Sequence, residues 1–238
     1  SDTYRRDARI TPAQHARDPE NRLLARGPRF RLDAKVIRDQ ALAVGGLLVE
    51  KVGGPPVKPY QPEGLWEAVG YDSSNTRNYR QDKGAALYRR SLYTFWKRTA
   101  PPAAMSVLDG PSREFCLTRR ERTNTPLAAL ALMNDITYVE AARGFAERIL
   151  KEAREDQERL ARAFQRATGR PAEADELAEL RGYLDQQRAL FKANPERAAK
   201  LLATGESPRD VTLDAVDHAA WTMVGSLLLN LDETINKG

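Results

Sequence analysis

The chain has 238 residues, 41% hydrophobic and 30% charged, and its 38 Lys+Arg against 33 Asp+Glu give a formal charge of +5. Mean hydropathy is −0.60, and no apolar run approaches the roughly 20 residues of a bilayer-spanning helix, so a membrane span is excluded. The single cysteine, Cys116, excludes an intrachain disulfide, a CxxC zinc site and a c-type haem attachment motif within these residues.

In chain order, Asp18-Pro19-Glu20 predicts a helix start, an Asp cap followed by Pro at the first helical position, with Gly27-Pro28 as its stop. Asp33 opens a second helix to about Leu48, with Val36, Ile37, Ala41, Val44 and Leu48 as its apolar stripe. The helical period then disappears over about 49–84, a stretch rich in Gly, Pro and aromatic residues. Ordered connectors of this length are uncommon, and Tyr60, Trp66, Tyr71 and Tyr79 argue against disorder. A helix is expected over Ala85 to Thr99, ended by Pro101-Pro102, and a short one after Ser112 carrying Phe115, Cys116 and Leu117. Asn124-Thr125-Pro126 is a cap-plus-Pro start, and Asn134-Asp135 re-caps a longer helix to about Ala153. Helices near 155–168 and 172–192, a short one from Asn194-Pro195 and a last one over about 210–231 complete the pattern. The only strand-like piece lies near Phe30–Leu32. The expected fold is all-α: one irregular multi-helix domain with a long Pro/Gly/aromatic-rich loop and a C-terminal helical part over about 126–238. Its opening at Ser1, without Met, reads as a piece excised from a larger protein.

Charge is uneven. Residues 76–122 hold eleven basic and four acidic side chains, a surplus of +7, whereas everything from 123 onward is net acidic. Such asymmetry points to a polyanion-binding face or to two parts that pack with complementary charge.

Several strings carry a resemblance. They are Asn21-Arg22-Leu23-Leu24-Ala25-Arg26-Gly27-Pro28-Arg29-Phe30-Arg31-Leu32-Asp33-Ala34, Gly53-Gly54-Pro55-Pro56-Val57-Lys58-Pro59-Tyr60-Gln61-Pro62, Leu87-Tyr88-Arg89-Arg90-Ser91-Leu92-Tyr93-Thr94-Phe95-Trp96-Lys97-Arg98, Arg119-Arg120-Glu121-Arg122-Thr123-Asn124-Thr125-Pro126-Leu127 and Leu228-Leu229-Asn230-Leu231-Asp232-Glu233. Together they resemble the C-terminal domain of unknown function of large planctomycete-type proteins that carry a cytochrome c-like domain near the N-terminus. The resemblance brings no catalytic residues. It implies an exported or periplasmic setting, haem confined to another domain of the parent protein, and the parent's other domains as partners.

The residues themselves offer a candidate ligand-binding surface. Arg89, Arg90, Lys97, Arg98, Arg113, Arg119, Arg120 and Arg122 are interleaved with Tyr93 and Trp96. Guanidinium forks suit sulfate, carboxylate and phosphate groups, and aromatic faces stack on sugars. Lys58, Tyr60 and Trp66 on the loop extend the set. Against this stands a structural reading in which the arginines bond loop carbonyls and pair with Asp109, Glu114 and Glu121, while Tyr60 and Trp66 plug the loop onto the helices. Asp214 and His218 share a helix face but make no complete metal set. Cys116, between Phe115 and Leu117, reads as a small buried hydrophobe rather than a nucleophile. No GxSxG, HExxH, P-loop or dinucleotide fingerprint occurs. The expected function is a non-catalytic binding or interaction module, contacting an anionic polysaccharide or the parent's other domains, with nucleic acid disfavoured. The alternative is a polysaccharide-active hydrolase domain using carboxylates.

Overall fold

A computed structural model describes residues 1–237; Gly238, the end of the expected helical part, lies outside the described residues. Ten helices and one two-stranded ribbon are present among them: α1 (Pro12–Arg17), β1 (Phe30–Arg31), α2 (Ala34–Val44), α3 (Ala103–Val107), α4 (Pro126–Asn134), α5 (Ile136–Glu152), α6 (Asp156–Thr168), α7 (Ala174–Ala193), α8 (Pro195–Leu202), α9 (Ala215–Leu229), α10 (Asp232–Ile235) and β2 (Asn236–Lys237). The fold is mostly helical, as expected.

The C-terminal helices form where their caps stand. Thr125 accepts from the Ala128 amide ahead of Pro126, Asp135 accepts from the Thr137 amide, and Asp214 accepts from the Asp217 amide. Gly169, at φ 85°, ends α6 in the left-handed conformation that glycine adopts without a Cβ penalty. α5 and α9 pack together at the centre, burying Phe145, Ile149, Trp221, Val224 and Leu228, with α6, α7 and α8 closing around them. Gly225 permits the approach, because a Cβ there would stand 2.9 Å from the Ala142 carbonyl oxygen. α2 lies on the other side of α5, where Ile37 and Ala41 meet Leu132, Tyr138 and Leu229. Phe30 and Arg31 pair antiparallel with Lys237 and Asn236, so β1 and β2 tie the segment before α2 to the segment after α10.

Three expected elements differ. No helix follows Asp18. Its carboxylate does accept from the Arg22 and Leu23 amides, both at 2.8 Å, but Asn21 and Leu24 turn left-handed and stop propagation. The cap is real and the helix is absent. Residues 85–99 are not one helix but two short 3-10 turns, Gly84–Tyr88 and Ser91–Tyr93, followed by extended chain. Their amides and carbonyls pair with the long loop instead: Val49 N–H donates to Tyr88 O, Val57 N–H to Tyr93 O and Phe95 N–H to Val57 O. The helix after Ser112 is also missing, since Arg113 takes φ 64°. The stripe on α2 is narrower than expected, with Val36 exposed.

Irregular chain needs partners for its carbonyls, and buried arginines supply them. Arg38, on α2, donates to the Leu87 and Arg89 carbonyls and to Ser91 Oγ. Arg31 donates to the Leu32 and Leu108 carbonyls and to Asp109. Arg143, on α5, donates to the Leu202 and Ser207 carbonyls. All three are almost fully buried. Arg38→Met is expected to lower unfolding free energy by about 3 kcal/mol, because buried carbonyls lose their donors. Urea denaturation checks this, with exposed Arg98→Ala expected to shift stability by no more than about 0.5 kcal/mol.

Candidate functional site

The arginine/aromatic set divides into side chains that face inward and side chains that face outward. Arg89 is 6% exposed; it donates to the Lys51, Gly53 and Pro55 carbonyls and lies 3.9 Å over the Tyr93 ring. Tyr93 Oη accepts from the Gly53 amide. Together they clamp the Gly53-Gly54-Pro55 turn. Trp66 is buried against Tyr79 and Phe95, with ring centroids 4.8 and 5.6 Å away. Lys97 Nζ lies 4.8 Å over Trp66 and donates to the Thr76 carbonyl, while Lys58 Nζ lies 5.3 Å over Phe95 and 5.6 Å over Trp66. Tyr60 Oη accepts from the Glu206 amide, tying the loop to the turn after α8. These residues hold the loop in place.

The outward set is different. Trp96 is half-buried, with the Arg113 guanidinium 4.9 Å above its ring and Lys35 Nζ at 5.6 Å. Burial, then the neighbouring Arg113 and Arg120 charges, pull the Lys35 ammonium below its ordinary value. Positive charge is therefore crowded here. Arg120 and Arg122 both reach Asp33, at 2.9 and 3.5 Å, which draws the Asp33 carboxylate away from capping α2. The acid they find is Asp33, not Glu114 or Glu121; Asp109 serves Arg31 and Thr123 instead. Arg90 lies 3.7 Å from Asp39. Arg98 and Arg119 are exposed.

Beside these cations the chain from Arg113 to Leu127 is exposed throughout, and it carries Phe115 at 66% and Leu117 at 50% exposure. Cys116 is exposed as well, which corrects the expectation of a buried hydrophobe. On α4, Leu127, Leu130 and Met133 recur every third residue and stay outside, 59%, 56% and 48% exposed. Ala128 and Leu132 occupy the inner face. Helical spacing places those three within one broad outer face.

A buried polar cluster went unnoticed in the sequence. Glu140 Oε1 accepts from Tyr88 Oη at 2.9 Å and from the Ser207 amide at 2.6 Å, and Arg143 stands 3.5 Å away. Gly205 makes room for it: a Cβ there would meet Glu140 at 2.2 Å. Its parts are far apart in sequence, so spacing carried no signal. His218 is fully buried, its Nε2 3.2 Å from the Arg143 carbonyl oxygen, and no group of three or more His, Cys, Asp or Glu suited to a metal ion occurs among the described residues.

Two arginine-paired carboxylates are held low. Hydrogen bonds from Arg170 lower Glu176 to about 2, and those from Arg188 hold Asp156 down. Asp135 is pushed up by burial, yet it caps α5 and borders a cavity of only about 20 Å³.

An α-helical bundle wrapped by an arginine-clamped irregular segment is thus the class of protein. The chain matches the family model described as PSD1, protein of unknown function (DUF1553), over residues 1–184, and it belongs to that family. No curated protein and no solved structure matches it.

Burial lowers the His218 pKa, so the folded state disfavours the imidazolium. The stabilisation from neutral His218 is complete above the unfolded value of about 6.5 and is lost as pH falls below it toward the depressed folded value. Chemical denaturation at pH 7.5 and 5.5 is expected to show weaker folding at the lower pH. His218→Gln is expected to flatten that difference; an unchanged slope in the variant would assign the effect to other groups.

Proposed function

We infer that the chain is a non-catalytic interaction module that docks another domain of its parent polypeptide through the outer face of α4 and the adjoining Arg113–Leu127 segment. The observation that carries this reading is the α4 face. Leu127, Leu130 and Met133 remain outside beside exposed Phe115 and Leu117, although α4 has a packed inner face. Exposed apolar surface of this kind marks interaction sites. Arg113, Arg119, Arg120 and Arg122 supply an adjacent cationic rim. That combination suits a polypeptide surface with an apolar centre and acidic edge, since charge steers and orients association while apolar contact supplies affinity. The setting is an exported protein whose haem lies in a different domain.

A second reading, an anionic polysaccharide on the same cationic rim, has its own support. Trp96 has both Lys35 and Arg113 within cation–π distance of its ring, an aromatic side chain with two nearby cations that suit a sulfate group.

Leu127→Lys combined with Leu130→Lys is expected to weaken binding to the separately expressed remainder of the parent polypeptide at least tenfold, about 1.4 kcal/mol, without loss of helical content. Isothermal titration calorimetry checks this, and unchanged affinity overturns the docking reading. Heparin titrated in parallel separates the two readings. Binding that survives the leucine changes, fails in Arg113→Ala/Arg120→Ala and falls steeply with salt belongs to the polysaccharide reading.

A further inference from the structure

A second unpartnered surface lies on the acidic part of the chain. Between α7 and the junction of α9 with α10 runs an open cleft of about 690 Å³, floored by Leu180, Tyr183, Leu227 and Leu231. Leu180 and Tyr183 are three residues apart on α7, Leu227 stands in the last turn of α9 and Leu231 caps the start of α10, and all four line the same trough. The rim is acidic. Five carboxylates line the cleft against one arginine, Arg29.

The rim acids are not equivalent. Glu176 and Glu233 share Arg170, and Asp232 takes Arg29. Asp175 and Glu179 are exposed and pair with no cation among the described residues. They stand one turn apart on α7, a like-charge spacing, with Asp175 in the first turn, where the helix N-terminus favours an acid. An apolar trough with uncompensated acid along one edge fits an amphipathic helix with a leucine-type face and a Lys/Arg edge, set in by i, i+3, i+4 anchors.

We propose that the cleft between α7 and the α9–α10 junction binds a basic amphipathic helical segment of a partner polypeptide, with Asp175 and Glu179 receiving its cations. The apolar floor supplies the contact area and the two carboxylates set orientation and register. This surface is opposite in charge to the α4 face and does not depend on it.

The test is fluorescence polarisation with a labelled two-heptad peptide bearing Leu on one face and Lys on the other, alongside a Leu/Glu peptide and a scrambled Leu/Lys peptide. The Leu/Lys helix is expected to bind the intact chain at least tenfold more tightly than either control. Asp175→Lys/Glu179→Lys is expected to remove that preference, whereas the charge-matched change at exposed acids outside both surfaces, Glu50→Lys/Glu63→Lys, is expected to keep it. Leu227→Gln alters no charge and is expected to weaken the Leu/Lys peptide severalfold, which guards against a change in α7 caused by the lysines. Equal binding of the scrambled peptide, or equal loss in both charge variants, overturns the proposal in favour of bulk electrostatics. Concentration-dependent self-association that disappears in Asp175→Lys/Glu179→Lys also overturns it, because a second copy would then be the occupant.

Discussion

The irregular half of this protein depends on buried guanidinium groups. A guanidinium brings five N–H donors in a rigid plane and accepts nothing, so it can close several carbonyls at once where no helix or sheet ladder does so. Arg38 does this for the turns at 84–93 and Arg89 for the turn at 51–55. Arg31 serves the end of α3, and Arg143 the segment after α8. Burying such a charge costs several kcal/mol unless its donors are satisfied. Here the compensation comes mainly from carbonyl oxygens, with Asp109 and Glu140 as the acidic partners of Arg31 and Arg143. The loops hold the arginines in place as firmly as the arginines hold the loops.

This exchange explains how an arginine-rich chain leaves only a modest cationic surface exposed. A count of basic residues in 76–122 mixes two populations. Arg89 and Lys97 face the loop and use their donors internally, whereas Arg98, Arg113 and Arg119 face out. Arg120 and Arg122 are intermediate, leaning on Asp33 while still partly exposed. What remains outside is a set of exposed arginines, Arg113 among them lying over Trp96, in and before the chain that leads into α4. A second surface, between α7 and the α9–α10 junction, presents carboxylates over an apolar trough.

The family match ends at residue 184, inside α7, while α9 supplies the centre of the core. Trp221, Val224 and Leu228 pack on Phe145 and Ile149, so the helices within the matched region are completed by a helix outside it. The physical unit extends beyond the matched residues.

The C-terminal helices were legible from sequence because their signals are local. A Thr or Asp cap, a Pro at the first turn, a Gly at the end and a 3.6-residue stripe act within a few residues, and α4 through α9 form close to where those signals stand. The long non-helical stretch was legible too, from its Pro and Gly content. The tertiary structure alone decided what happens at 18–27 and 84–99. A valid Asp cap leads to no helix in the first, and in the second the backbone pairs with a loop some forty residues earlier and with Arg38 from α2. The candidate site divided for the same reason. Arg89 and Arg98 look alike in sequence, and only long-range carbonyl partners make one a clamp and the other a surface charge. Helix propensity is set by neighbours along the chain, whereas the fate of a guanidinium is set by whichever unsatisfied carbonyls the fold brings to it.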